Sequence, residues 1–87
     1  MYSVKISKKA HKALSKMDKQ IRNLLYAWMS KILSGCENPR ALGKALKGDL
    51  NNRWRYRVGD YRIIADISDG ELIILVVEVG HRREMYE

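Results

Sequence analysis

The stretch from residue 53 to residue 62 constrains the fold most strongly, because it has the pattern of a β-hairpin whose two faces differ in chemistry. Side chains alternate between the two faces of a strand. The apolar side chains of the first strand therefore share one face: Trp54, Tyr56 and Val58. The arginines share the other face: Arg53, Arg55 and Arg57. Beyond a turn at Gly59 and Asp60, Arg62 joins the arginine face.

This division predicts both packing and binding. The apolar face can pack against helices, which leaves the guanidinium groups together on the opposite surface. Like charges at such short range repel one another, so we expect an anion to bind there, and the phosphate backbone of a nucleic acid has the right chemistry.

Composition agrees with an anionic partner. The chain has 87 residues, with 17 Lys and Arg against 10 Asp and Glu, and a formal net charge of +7. That charge favours nucleic acid, an acidic protein or an anionic membrane surface. The length predicts one domain spanning residues 1–87, and so small a core makes a stabilising partner protein expected.

Other classes of protein are disfavoured. The single cysteine, Cys36, excludes an internal disulfide and a cysteine-based metal cluster, and we interpret it as an incidental thiol. The sequence has neither an export signal nor an apolar span of 18 residues, which predicts a cytoplasmic protein without membrane contact.

Hydrophobic periodicity predicts an α+β fold in the order β-α-α-β-β-β. The predicted elements are residues 2–6, 7–17, 18–33, 53–58, 61–67 and 71–79. Ser7 and Asp18 are expected to cap the helices, and 40–52 is expected to form a short helical turn and a polar loop. Gly59-Asp60 suits a type II′ turn and Asp69-Gly70 a type I′ turn. The last strand is apolar on both faces, which predicts a central position in a mostly antiparallel sheet with the αα-hairpin on one face.

The element order and three sequence segments resemble the RelE/ParE superfamily of toxins from type II toxin–antitoxin systems, and RelE most of all. The segments are RWRYRVGDYR at 53–62, VGHRREMY at 79–86 and LKG at 46–48. The resemblance implies an endoribonuclease that cleaves mRNA in the ribosomal A site without a metal or other cofactor. The adjacent 2′-OH would attack the phosphate, giving a 2′,3′-cyclic phosphate product.

The resemblance also assigns site residues. Arg55 and Arg57 match two basic strand positions that are often lysines in the family. Arg62 and Arg82 match its phosphate-binding arginines, and Tyr86 matches its C-terminal tyrosine. Further RNA contacts are expected from three basic residues: Arg53, Arg83 and Lys47.

The proton-transfer groups differ from the family pattern. Arginine stays protonated in proteins, so Arg55 and Arg57 cannot serve as a general base where relatives use lysine. His81 is the candidate because imidazole exchanges protons near neutral pH. Tyr86 and Glu84 are the alternatives.

The resemblance leaves two other functions open. One is a non-enzymatic, ParE-like inhibitor of DNA gyrase, and the other is an inactive toxin homologue within a DNA-binding autoregulatory complex. The partners implied are an acidic RelB-like antitoxin and the 70S ribosome with its mRNA, with operator DNA bound only through the antitoxin complex. An exposed edge strand at 2–6 or 53–58 could accept a strand of the antitoxin.

Overall fold

A computed structural model describes residues 1–46 and 53–81, and it confirms the α+β class. The helices are α1 (Lys8–Ser15) and α2 (Lys19–Trp28), followed by a π-helical segment (Met29–Leu33) and a 3₁₀ helix (Pro39–Leu42). The strands are β1 (Ser3–Ile6), β2 (Lys44–Ala45), β3 (Arg53–Val58), β4 (Tyr61–Ser68) and β5 (Ile73–His81). They form one sheet in the order β1-β5-β4-β3-β2. All pairs are antiparallel except β1 with β5, so the sheet is mixed.

The helical hairpin begins at the predicted caps. The Ser7 hydroxyl accepts the Ala10 amide at 3.1 Å, and the Asp18 carboxylate accepts the Gln20 amide at 3.0 Å. Each cap satisfies a backbone donor that the first helical turn leaves without a partner. The first helix ends at Ser15, short of the predicted residue 17, whereas helical backbone continues from α2 through the π-helical segment to Leu33, as predicted. No helix in 1–46 or 53–81 is long and apolar enough to cross a bilayer.

The core lies between the helices and one face of the sheet. Its buried side chains come from both layers: Ala10, Leu14, Leu25, Met29, Leu33, Tyr56, Val58, Ile63, Ala65, Ile74, Val76 and Val79. Trp54 packs against them from β3, and the Trp28 and Tyr56 rings lie 5.5 Å apart. The apolar face of the hairpin therefore meets the helices as predicted.

The two hairpin turns gave one confirmation and one correction. Gly59 has φ +60°, as the first central position of a type II′ turn requires. The type I′ turn at Asp69-Gly70 is wrong, because Ser68 pairs with Ile73 and leaves a loop of four residues. The Leu72 amide donates to the Asp69 carbonyl at 3.3 Å, and Leu72 itself takes the left-handed conformation with φ 56°.

The edges of the sheet also differ from expectation. Strand β1 lies at one edge, as predicted for residues 2–6. Strand β3 does not lie at the other, because β2 pairs with it at Trp54 and Arg55. Residues 40–52 are predicted to form a short helical turn and a polar loop. The 3₁₀ helix confirms the turn, β2 replaces the start of the loop, and residues 47–52 lie outside the described residues. A two-residue strand is too short to leave a periodic pattern.

Asp69 joins three distant parts of the chain. Its carboxylate accepts hydrogen bonds from Nη1 and Nη2 of Arg40 at 2.9 and 3.0 Å, and from the Tyr2 hydroxyl at 2.7 Å. The Arg40 and Tyr2 hydrogen bonds hold the pKa of Asp69 at about 2. Arg40 also lies over the Trp54 ring, with its Cζ 5.7 Å from the ring centroid.

This cluster predicts a loss of stability in acid. An unfolded aspartate has a pKa of about 3.9, so the folded state holds the carboxylate more strongly. The stabilisation is present above that value and is lost as pH falls through about 2. We expect Asp69→Asn to be less stable than wild type at pH 6 and to lose less stability between pH 4 and pH 2. Urea unfolding across this range measures both, and an equal acid loss in the two proteins would contradict the assignment.

Candidate active site

Three arginines come together on the sheet face that points away from the helices. Arg57 lies directly opposite Arg62, and Arg55 lies opposite Ile64. Directly opposed residues in an antiparallel pair project from the same face. The strand register therefore brings Arg55, Arg57 and Arg62 into one cluster, as the alternation in the sequence predicts.

The members of the cluster differ in exposure. Arg62 is only 4% exposed and is held in the ladder between Arg57 and Gly80, whereas Arg57 is exposed. Reduced contact with water weakens dielectric screening around Arg62. An anion that reaches this guanidinium is therefore attracted more strongly than it would be at an exposed arginine.

The arginines face a cleft of about 370 Å³. Its lining is Ala41, Leu42, Gly43, Lys44, Arg55, Tyr56, Arg57 and Arg62. Among the lining residues that the structure describes, four side chains are cationic and none is a carboxylate. The cleft is thus a concave, positively charged site into which part of a polyanion can fit.

Residues 41–44, the end of the 3₁₀ helix and the start of β2, form one wall of this cleft, and β3 holds this wall in place. The Trp54 indole donates to the Arg40 carbonyl at 3.1 Å, and the Tyr56 hydroxyl donates to the Pro39 carbonyl at 2.9 Å. Burial raises the pKa of Tyr56. This phenol therefore stays neutral and acts as a structural donor, although its ring borders the cleft.

Arg53 is separated from the cluster by an ion pair. It lies opposite Asp66, which accepts its Nε at 2.8 Å and its Nη2 at 3.1 Å. The Asp66 hydrogen bonds raise the pKa of Arg53. The expectation that all hairpin arginines need an external anion is therefore wrong for Arg53, and its RNA contact stays a prediction. The two-residue turn places Val58 opposite Tyr61. Five residues further from the turn on each strand, the same register places Arg53 opposite Asp66, so the sequence already contained this pair.

His81 lies on the other face of the sheet. It pairs with Tyr61 at the end of β4, and the two rings meet edge to face with centroids 5.2 Å apart. Tyr61 packs against the core, so this register separates the imidazole from the arginine face. The role of His81 as a general base stays a prediction.

Five predicted site residues lie outside the described residues. They are Lys47, Arg82, Arg83, Glu84 and Tyr86. Sequence reasoning in turn missed Lys44 and Leu42 in the cleft wall. No local pattern marks them, because their position depends on the pairing of β2 with β3.

Comparison with known proteins identifies the family. The family described as ParE toxin of type II toxin–antitoxin system, parDE, matches residues 4–86. A RelE-like toxin protein of Escherichia coli is 32% identical over 82 residues, which are 93% of this chain and 83% of that relative. Toxin RelE of Mycobacterium tuberculosis is 37% identical over 49 residues, 56% of this chain and only 50% of that relative.

The fold also matches a solved toxin. A chain in the toxin–antitoxin complex RelBE2 from Mycobacterium tuberculosis superposes with a TM-score of 0.83 at 27% identity. The match covers 93% of this chain and 98% of that one. With the family match across residues 4–86, this protein belongs to the RelE/ParE superfamily of toxins from type II toxin–antitoxin systems.

Proposed function

We propose that this toxin is a ribosome-dependent endoribonuclease that cleaves mRNA in the A site. The observation that carries the proposal is the cleft itself, where the register of β3 and β4 brings Arg55, Arg57 and Arg62 together on one concave surface. Guanidinium groups gathered on a concave surface suit the phosphate backbone of RNA, because each phosphate can accept paired N–H donors and carries a negative charge.

The chemistry that fits this cleft is transesterification of RNA. The 2′-oxygen attacks the adjacent phosphorus while the bond from phosphorus to the 5′-oxygen breaks. The products are a 2′,3′-cyclic phosphate and a fragment with a 5′-OH. The proton of the 2′-OH passes to a base, and the leaving 5′-oxygen gains a proton.

The arginines would act on the charge that develops. The phosphorane in this reaction is dianionic, and guanidinium groups offer both positive charge and paired donors for phosphate oxygens. Arg62 has the least exposed of these groups. Each such donor can contribute about 3 kcal/mol to lowering the barrier.

The base and the acid are assigned to residues other than the arginines, because a guanidinium keeps its proton. His81, Glu84 and Tyr86 remain the proposed candidates. Tyr61 holds the His81 ring away from the arginine face, so His81 would need to approach around the end of the sheet. The ribosome would supply part of the catalysis by aligning the 2′-OH with the scissile bond.

An antitoxin is the proposed regulator. Related chains were solved as toxin–antitoxin complexes, including RelBE2 of Mycobacterium tuberculosis. A RelB-like antitoxin with acidic character would be attracted by the net charge of +7, and its binding would weaken with salt. Occlusion of the arginine cleft would neutralise the toxin.

The matched family description also names ParE, which makes gyrase inhibition the second candidate. Primer extension on mRNA in a translating extract separates the two, run beside a gyrase supercoiling assay. The nuclease proposal predicts new 3′ ends within codons only when ribosomes are present. Intact mRNA with inhibited supercoiling would overturn it in favour of the gyrase target.

A further inference from the structure

Lys44 extends the cationic cluster onto a second element of the fold. It lies directly opposite Arg55 in the β2–β3 pair, so its side chain projects from the same sheet face as the arginines. Lys44 is exposed and lines the cleft together with Arg55 and Arg57. A lysine from the wall thus faces arginines from the strand.

The pairing of Lys44 with Arg55 costs stability when no anion is present. Like charges directly opposite each other on two strands repel. In residues 1–46 and 53–81 the ion pairs join Lys9 to Glu78, Arg40 to Asp69 and Arg53 to Asp66. Neither Lys44 nor Arg55 takes part in these pairs.

The backbone of the wall packs closely against β3, which sets where Lys44 leaves the sheet beside the cleft. Gly43 approaches β3 so closely that an added Cβ would lie 2.2 Å from the Arg55 carbonyl oxygen. The hydrogen bonds from Trp54 and Tyr56 hold the preceding turn. Leu42, on the same wall, is 38% exposed and offers an apolar contact beside the charge.

The cluster therefore contains two cationic pairs along β3. One pair is Arg57 with Arg62, and the other is Arg55 with Lys44. Positions two residues apart on a strand are about 7 Å apart, a separation close to that of successive phosphates in an extended RNA strand. Two adjacent phosphates could thus each meet their own pair.

We infer that Lys44 binds the RNA phosphate next to the scissile one, while Leu42 packs against the nucleotide that carries it. This inference rests on the proposed nuclease function and adds a binding subsite to it. Lys44 contributes to ground-state binding and to register of the RNA. The chemical step depends on the Arg57–Arg62 pair.

Two assays test the subsite, each with Lys44→Gln, Lys44→Arg and the control Lys31→Gln. Lys31 is exposed in the π-helical segment on the helical layer. The first assay measures cleavage at saturating and subsaturating concentrations of toxin on mRNA-programmed ribosomes. The second measures binding of a fluorescent, non-cleavable 2′-O-methyl RNA oligonucleotide without ribosomes, at several salt concentrations.

The expected results separate binding from chemistry. Lys44→Gln should weaken oligonucleotide binding about 10-fold, as expected for loss of a hydrogen bond to a charged group, and lower the salt slope by about 0.7. It should raise the half-saturating toxin concentration while leaving the saturated rate within about threefold. Lys44→Arg should restore binding, and Lys31→Gln should match wild type in both assays.

The failures are distinguishable. If wild type cleaves mRNA but Lys44→Gln matches Lys31→Gln in both assays, the subsite is wrong and the nuclease function stands. If wild type does not cleave mRNA yet Lys44→Gln weakens oligonucleotide binding, the nuclease function fails and the RNA-binding role of Lys44 survives. A loss of saturated rate without loss of binding would also overturn the assignment.

Discussion

Replacing Arg62 with glutamine is expected to reduce ribosome-dependent cleavage of mRNA by about 10²- to 10³-fold at saturating toxin. This is the size of effect seen when one donor to a developing oxyanion is removed. Arg62 is the most buried cation of the cleft and lies opposite Arg57, so its charge acts at low screening. Single-turnover cleavage on programmed ribosomes gives the rate.

Arg22→Gln is the matched control, since Arg22 lies on α2 in the helical layer. Glutamine keeps much of the bulk of arginine, so Arg62→Gln should retain the circular dichroism spectrum of wild type. A cleavage rate for Arg62→Gln equal to that of Arg22→Gln would remove Arg62 from the mechanism. If Arg62→Gln loses both cleavage and the circular dichroism spectrum of the folded protein, Arg62→Lys is measured instead. The lysine variant should keep the fold and recover part of the cleavage rate.

Gly43→Ala is expected to lower the free energy of unfolding by about 1–3 kcal/mol, the usual cost of forcing an extra group into a packed site. The added methyl group would lie 2.2 Å from the Arg55 carbonyl oxygen and 2.7 Å from the Tyr56 ring. The Arg55 carbonyl belongs to the backbone of the sheet and cannot shift without distorting it, so the wall must move away from β3. We expect cleavage to fall as well, because this movement carries Lys44 and Leu42 out of the cleft.

Gly70→Ala is the control for the same chemical change. Nothing lies within 4 Å of a Cβ at Gly70, and its backbone is outside the left-handed region. This variant should be as stable as wild type or up to about 1 kcal/mol more stable, because alanine restricts the unfolded chain. Urea unfolding measures both proteins. Equal stability of the two variants would mean that the wall does not pack against β3 as described.

The sequence allowed the hairpin to be predicted well because local rules decide it. The alternation of side chains along β3 places Trp54 and Tyr56 on the face opposite the arginines. Gly59 determines the turn type and therefore the register between β3 and β4. The same register implied the pairing of Arg53 with Asp66, which a count from the turn would have found. The helix caps at Ser7 and Asp18 were equally local.

The remaining features depend on contacts between distant segments. The position of Lys44 follows from the pairing of β2 with β3 across residues 47–52, and a two-residue strand carries no period of its own. The loop after Asp69 follows from where β5 enters the sheet beside β1, which overrides the preference of Asp69-Gly70 for a tighter turn. The separation of His81 from the arginines likewise follows from the register at the end of β4.

Both faces of the hairpin now have a physical reason. The apolar face secures β3 to the helices through Tyr56, and the same ring holds the cleft wall through the Pro39 carbonyl. The opposite face brings Arg55, Arg57 and Arg62 together along the cleft. Packing of one face thus supports a preorganised charge cluster on the other, as the proposed stabilisation of a phosphorane would require.

The most direct test of the proposed mechanism is cleavage of an mRNA with one 2′-deoxy nucleotide at the scissile position, on purified programmed ribosomes. An all-ribose mRNA of the same sequence serves as the reference. The proposal predicts that the reference is cut to a 2′,3′-cyclic phosphate and a 5′-OH fragment, while the 2′-deoxy mRNA stays intact at that bond. Cleavage of the 2′-deoxy bond at the reference rate would contradict attack by the 2′-oxygen and with it the role given to the arginine cleft.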